Sequence, residues 1–388
     1  MVIKRLAQKL LREKLQENKV LLLYGPRRVG KTTLLKQFIA ELQDPGICKS
    51  VNAETTIIQD ELATPSINAL KNFVGDHKII IIDEAQKIPN IGSQLKLMVD
   101  EIPGISVIAS GSASFALAPQ VGEPLTGRKK TIHLFPISAE EIIQTSDVSD
   151  YKEKLNELLV FGGYPELFQI SSTDQKKEYL AELTDSYLFR DILELEQIKN
   201  PRKLRDLLTL LAFQIGKEVS LNELGRALEL NRSTIFRYLD LLEKSFVIIN
   251  IRGFSRNLRK EVTKTSRYYF YDNGIRNALI NNFNPISLRD DVGMLWENYI
   301  VLERIKKQSY NNIISRNYFW RTYDQKEIDW VEEREGNIHG YEITWGDKSA
   351  RQKKEWLAAY PSASLEIINR KNFLHFITCL NPTRHVFL

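Results

Sequence analysis

The chain is predicted to be an α/β protein, with a parallel sheet and its helices first, a helical segment next and a small α/β domain last. Three observations predict this order. First, "VLLLYGPRRVGKTTLLKQF" runs from an apolar strand (Val20 to Tyr24) through a glycine-bounded loop into a helical pattern of Leu34, Leu35, Phe38 and Ile39. Second, "KIIIIDEAQKIP" places four consecutive isoleucines before two acids, the signature of a strand buried on both faces. Third, leucine-rich helical patterns replace isoleucine strands beyond Tyr151, and strand-like stretches return in "NYFWRT", "EIDWVEE" and "IHGYEITWG".

The totals set the bounds. A chain of 388 residues predicts two or three domains, and a net charge of +5 leaves nucleic-acid binding to a local footprint. Cys48 and Cys379 have no metal-ligand spacing and read as reduced thiols of a cytoplasmic protein. His77, His133, His339, His375 and His385 form no ligand cluster. No apolar run is long enough to span a bilayer, so no membrane partner is expected. In the basic N-terminal stretch, Val2, Ile3, Leu6, Leu10 and Leu11 recur at helical spacing. That pattern predicts a helix packed on the next domain rather than one lying on a membrane.

Gly25 to Thr32 fits G-x-x-x-x-G-K-[ST], between a strand and a helix as a phosphate-binding loop requires. Gly25 and Gly30 allow the loop amides to converge on one anion, and the following helix adds its positive dipole end. The candidate nucleotide cradle is Gly25, Pro26, Arg27, Arg28, Val29, Gly30, Lys31, Thr32 and Thr33. Lys31 would meet the outer phosphates of ATP or ADP, and Thr32 would ligate Mg²⁺. Arg27 and Arg28 read as loop charges without a catalytic part. Asp83 is the second candidate Mg²⁺ ligand, and Glu84 the residue that orients and activates water. Ser110, at the tip of the strand "ISVIAS", is a candidate γ-phosphate or water sensor. Arg128, in "LTGRKKTIHLFPIS", is a candidate stabiliser of transition-state charge, acting in its own chain or on a neighbour in a homo-oligomer.

These residues, with "FGGYPE", "YLFRDILELEQI", "YFYDNGIRNAL", "GMLWENYIVLERI" and "FWRTYDQKEIDWV", resemble the prokaryotic AAA-type ATPases fused to domain of unknown function 4143. The resemblance covers nearly the whole chain. It implies an additional-strand P-loop ATPase, a winged-helix segment and a nuclease-like C-terminal domain.

In the middle segment, Ser220 and Glu223 match S-x-x-E at the start of a short helix. Asn231 is placed to cap a second helix with Ile235, Leu239 and Leu242 on its buried face. The strand "FVIINI" completes a winged helix-turn-helix pattern. Its display face is mixed: Arg232, Ser233, Arg237 and Asp240. The next stretch carries Arg252, Arg256, Arg259, Lys260, Lys264 and Arg267 against one acid, Glu261. Residues 232–267 are therefore the candidate footprint for double-stranded DNA, with a protein partner as the alternative.

At the C-terminal end, a helix, three strands, a helix and a closing strand, "SLEIIN", follow in the order of a restriction-endonuclease-like core. Glu297, Asp329 and Glu342 stand where such a core holds metal. The lysine that would follow Glu342 on the same strand face is replaced by Thr344, a short neutral side chain. Lys348 lies beyond Gly346, where the strand should already have ended. The expectation is a nuclease-like site that does not cut, with residual metal binding at most.

The domains read as 1–150 (P-loop ATPase), 151–285 (helical lid and winged helix) and 286–388 (nuclease-like). The favoured function is Mg²⁺-dependent ATP hydrolysis that rearranges the winged helix and the nuclease-like domain. The alternatives are a nucleotide-switch adaptor acting on a protein and an ATP-regulated, metal-dependent nuclease.

Overall fold

A computed structural model describes residues 3–64, 66–112, 125–185, 200–255, 265–322, 325–346 and 353–380. Arg256, Arg259, Lys260, Glu261, Lys264, Lys348 and all of "YLFRDILELEQI" lie outside the described residues. The chain divides into two compact units, one of residues 2–135 with 244–246, the other of residues 136–243 and 247–388.

The first unit opens with α1 (Leu6–Lys14), whose Leu10 and Leu11 are buried. It continues with β1 (Lys19–Tyr24), α2 (Lys31–Ala40), β2 (Cys48–Asn52), α3 (Thr56–Ala63) and α4 (Ile67–Val74). Then come β3 (Ile79–Asp83), α5 (Ile91–Glu101), β4 (Ser106–Gly111) and β5 (Lys129–His133). The five strands form one parallel sheet in the order β2-β3-β4-β1-β5. Strand β4 therefore separates the loop-bearing β1 from the acid-bearing β3, which is the additional strand that the resemblance implies. Ile80, Ile81 and Ile82 are fully buried, at roughly 1.5–3 kcal/mol of burial each. Parallel strands end at a common edge, and that edge carries the first candidate site.

The second unit is helical first: α6 (Ala139–Thr145), α7 (Val148–Phe161), α8 (Thr173–Leu183) and α9 (Pro201–Phe213). Next come β6 (Glu218–Val219), α10 (Leu221–Leu228), α11 (Arg232–Lys244), β7 (Ile248–Gly253) and β8 (Ser266–Phe270). The Ser220 hydroxyl accepts from the Glu223 amide at 3.3 Å and caps α10; Asn231 Oδ1 accepts from the Thr234 amide at 2.7 Å and caps α11. Ile235, Leu239 and Leu242 are buried along α11.

The remaining elements are α12 (Asn273–Leu279), α13 (Val292–Tyr310), β9 (Arg316–Arg321), β10 (Glu327–Arg334) and β11 (Asn337–Ile343). The last are α14 (Lys353–Ala359), β12 (Ser364–Ile368) and α15 (Phe373–Ile377). The strands of this unit join in one seven-stranded sheet, β12-β11-β10-β9-β7-β8-β6. Strand β7 pairs in parallel with β9, Arg252 opposite Tyr318.

The boundary expected at 285/286 thus falls inside a continuous sheet. The boundary expected at 150/151 falls inside this unit as well. Residues 136–150 are held within it because the Ala139 amide donates to Glu303 at 2.7 Å and Lys306 donates to the Ile137 carbonyl at 3.2 Å.

Candidate nucleotide site and a buried acid cluster

The loop between β1 and α2 is shaped by two glycines. A Cβ on Gly25 would lie 2.3 Å from the Leu134 carbonyl oxygen, so only glycine fits there. Gly30 has φ of 98°, a left-handed conformation that favours glycine. Arg5 braces the loop from the N-terminal side. Its buried guanidinium donates to the Val29 carbonyl at 2.9 Å and to the Phe135 carbonyl at 2.6 Å. Sequence reasoning missed Arg5, because nothing in a local pattern marks a contact made 24 and 130 residues away.

Lys31 is buried, and its ammonium donates to the Gly25 and Pro26 carbonyls at 2.9 and 3.0 Å. The Thr32 hydroxyl donates to Asp83 Oδ2 at 2.6 Å, which joins the helix start to the end of β3. Ser110, at the end of β4, donates to Asp83 Oδ1, and its own oxygen accepts from the Glu84 amide at 3.2 Å. Glu84 sits in the left-handed region, φ 52°, beyond the last residue of the strand.

Gln86 is a second residue that the sequence did not flag. A 3-10 turn over Ala85–Lys87 carries it back, so that its Nε2 donates to Glu84 Oε2 at 2.5 Å and to Ser112 Oγ at 3.2 Å. Its position two residues after Glu84 in "DEAQK" is the signal that could have found it. Among the remaining loop residues Val29 and Pro26 are buried, Arg27 is half-buried, and Arg28, Thr32 and Thr33 are exposed.

Arg128 is not brought to this edge. Its carbonyl accepts from the Val20 amide at the start of β1, and the two strands run parallel from there. It therefore lies at the opposite end of the sheet from the loop after Tyr24. There its Nε donates to Asp100 at 2.6 Å. Action on a phosphate bound in its own chain is corrected by this placement.

The second unit collects the C-terminal acids around Arg267. Only 3% of Arg267 is exposed; its guanidinium lies 2.5 Å from Glu327, 3.5 Å from Asp329 and 3.9 Å from Glu297. Tyr269 donates to Glu297 at 2.7 Å, and the Ile343 amide to Asp329 at 2.9 Å. Burial pushes the Glu297 and Asp329 carboxyls up, and the Arg267 charge opposes that rise. Burial and the charges of Asp329 and Glu327 push Glu342 up to about 7.

One expectation changes here. Arg267 belongs to this cluster and not to a DNA-facing footprint, because three carboxylates and burial withdraw it from solvent. Residual metal binding, expected at Asp329 and Glu342, meets an opposing charge beside Asp329. A guanidinium stands among the acids, and among the described residues no three acidic, histidine or cysteine side chains converge as metal ligands. Thr344 follows the end of β11, its amide bonded to the Ile368 carbonyl at 2.9 Å. The exposed basic residues that remain described in 232–267 are Arg232, Arg237, Lys244 and Arg252. No described helix is long and apolar enough to cross a membrane.

Three family models match successive parts of the chain. Residues 17–143 match the model of an AAA domain, residues 152–285 a domain of unknown function (DUF8612), and residues 292–376 a domain of unknown function (DUF4143). An uncharacterized protein of Mycobacterium tuberculosis is 29% identical over 336 residues, covering 86% of this chain and 72% of its own length. One from Methanocaldococcus jannaschii is 26% identical over 381 residues, covering 92% and 82%. Among solved structures, the Pif1 helicase from Candida albicans aligns with 47% of this chain and 48% of its own at 15% identity and a TM-score of 0.28. CDC6P from Pyrobaculum aerophilum aligns with 71% and 93% at 13% identity and a TM-score of 0.26. Likeness at such scores carries no argument about function.

Proposed function

Because the chain carries an AAA domain followed by the domain of unknown function DUF4143, we propose that it binds ATP with Mg²⁺ and hydrolyses the terminal phosphate. One observation carries the reading: Lys31 in its glycine-bounded loop and the Thr32–Asp83 contact of 2.6 Å lie at one sheet edge, beside Glu84. The residues fit the cofactor. The loop cradle excludes a side chain at Gly25, and the Thr32 hydroxyl and Asp83 carboxylate form an oxygen-donor pair suited to a hard cation.

Lys31 exchanges its two carbonyl contacts for the outer phosphates, and the loop amides and the start of α2 hold the remaining negative charge. Mg²⁺, when held by Thr32 and Asp83, supplies charge neutralisation at the phosphates. Glu84 orients water and takes its proton; Gln86 fixes the Glu84 carboxylate, and Ser110 fixes Asp83. Arg128 enters this reading only as a group offered to a neighbouring copy.

The wider reading couples turnover to the second unit. The order α9, β6, α10, α11, β7, β8 supports a winged helix, and α13 through β12 supports a nuclease-like core in which Arg267 faces Glu297 and Asp329. Nucleic acid is then bound through residues of 232–267 and not cut by Glu297, Asp329 and Glu342.

Titration calorimetry and steady-state phosphate release test the first part. Lys31→Ala should abolish ATP uptake. Glu84→Gln should keep uptake and slow release by about 10²–10⁴-fold, the usual contribution of a positioned base. Absence of uptake by the folded wild-type chain with Mg²⁺ present would end the proposal.

A further inference from the structure

The second unit also contains a groove of about 1290 Å³ that belongs to neither site above. It exceeds the roughly 300–1,000 Å³ of small-molecule pockets, so its size suits a length of polymer. One wall is α11, where Arg232 is followed one turn later by Phe236, a phenyl ring left 60% exposed. The floor is a face of the sheet, with Asn250, Arg252, Tyr268 and Trp320.

The charge of this lining is unbalanced. Arg321 is paired with Glu218 at 2.5 Å, but Arg232 and Arg252 have no carboxylate partner among the described residues. Asn250 Oδ1 is buried and has no hydrogen-bond partner there. Among the described residues the groove therefore offers two guanidinium groups with no carboxylate partner, an unused acceptor and an open aromatic ring.

Strand pleating sets it apart from the acid cluster. Ser266 and Tyr268 line the groove, whereas Arg267 and Tyr269 turn to the acids on the other face of β8. A polymer lying in the groove is thus screened by the sheet from Glu297 and Asp329.

We propose that this groove binds single-stranded nucleic acid, with Phe236 stacking on a base and Arg232 and Arg252 meeting phosphates. The inference rests on the reading of residues 232–267 as a nucleic-acid surface and replaces its duplex by a single strand. A helix that reads duplex DNA lies within the major groove, so its display side chains must stand clear of the protein. Here Arg232, Ser233 and Phe236 form the wall of a concavity. Such a basic channel with an aromatic platform suits one strand, whose bases are free to stack.

The test is fluorescence anisotropy on the full chain, with a labelled strand of about 12 nucleotides and the matching duplex. The single strand should bind about tenfold or more tightly than the duplex. Phe236→Ala should weaken it about tenfold, the usual loss of one stacked base. Removing Arg232 and Arg252 together should flatten the slope of log affinity against log salt by about 1.4, or 0.7 per phosphate contact. Lys152→Ala, an exposed basic residue on α7 outside the groove and outside residues 232–267, should leave binding unchanged, and thermal melts would verify that the variants are folded. Tighter binding of the duplex would overturn the single-strand inference and leave the duplex reading standing. Single-strand binding unaffected by Phe236→Ala would remove it from this groove. Binding of neither form, with ATP uptake intact, would defeat both nucleic-acid readings but not the nucleotide site. Capture of a labelled apolar peptide in place of the strand would assign the groove to a protein.

Discussion

Glu342 and Glu84 are both strand-end glutamates, yet their surroundings differ. Glu342 has two carboxylates near it and no contact with Arg267, and burial pushes its carboxyl up to about 7. A raised folded-state value means that the native protein holds the proton more tightly than the unfolded chain. Its contribution to stability is therefore full below the unfolded value and lost as pH rises through about 7. Glu342→Gln should leave unfolding by denaturant nearly unchanged at acidic pH and stabilise the protein by about 1 kcal/mol at alkaline pH, after allowance for partial solvent exposure. Equal effects at both ends of the range would contradict the assigned environment. At the other glutamate, Gln86 holds the carboxylate by a side-chain amide. Gln86→Leu should slow phosphate release while leaving ATP uptake intact, and a change in uptake of the same size would make Gln86 a binding residue.

Strands β8 and β10 are tied by charge as well as by their shared sheet. Arg267, on β8, meets Glu327 and Asp329 of β10. Removing one partner of a buried ion pair costs about 3–5 kcal/mol, because the remaining charges lose their counter-ion. Arg267→Met should therefore destabilise the second unit by about that amount at neutral pH. The loss should be smaller in acid, where protonation relieves the repulsion among the carboxylates. Lysine should rescue it poorly, since an ammonium cannot span three carboxylates as a planar guanidinium does. Denaturation followed by tryptophan emission is suited to this, because all five tryptophans, from Trp296 to Trp356, lie in that unit. A comparable element is α13, where Arg304 meets Glu332 through two bonds of 2.6 and 2.7 Å.

For the molecule as a whole, two compact units predict two separable responses. Mg²⁺–ATP at a hundredfold excess over its Kd should stabilise the first unit by about 2.7 kcal/mol. Single-stranded DNA should act on the second. Calorimetric scans with each ligand in turn check this. Stabilisation of the tryptophan-bearing unit alone by nucleotide would place the ATP site elsewhere. Phosphate release measured with and without DNA, over a range of protein concentrations, reads both coupling to nucleic acid and any dependence of Arg128 on a neighbouring copy.

The P-loop, the buried isoleucine strand and the two helix caps at Ser220 and Asn231 were legible without coordinates, because each rests on residues within about one turn or one strand of one another. So was the parallel first sheet. The environment of Arg267 was not legible. Its neighbours in sequence are basic, but its neighbours in space are Glu297, Glu327 and Asp329, 30 to 62 residues away. The same holds for Arg128, which reads as a catalytic arginine by its place before a strand and is sent to the far edge by the parallel direction of β1 and β5. Local chemistry and spacing are written along the chain; which charges face one another depends on strand order and pleat, and these come from packing between distant segments.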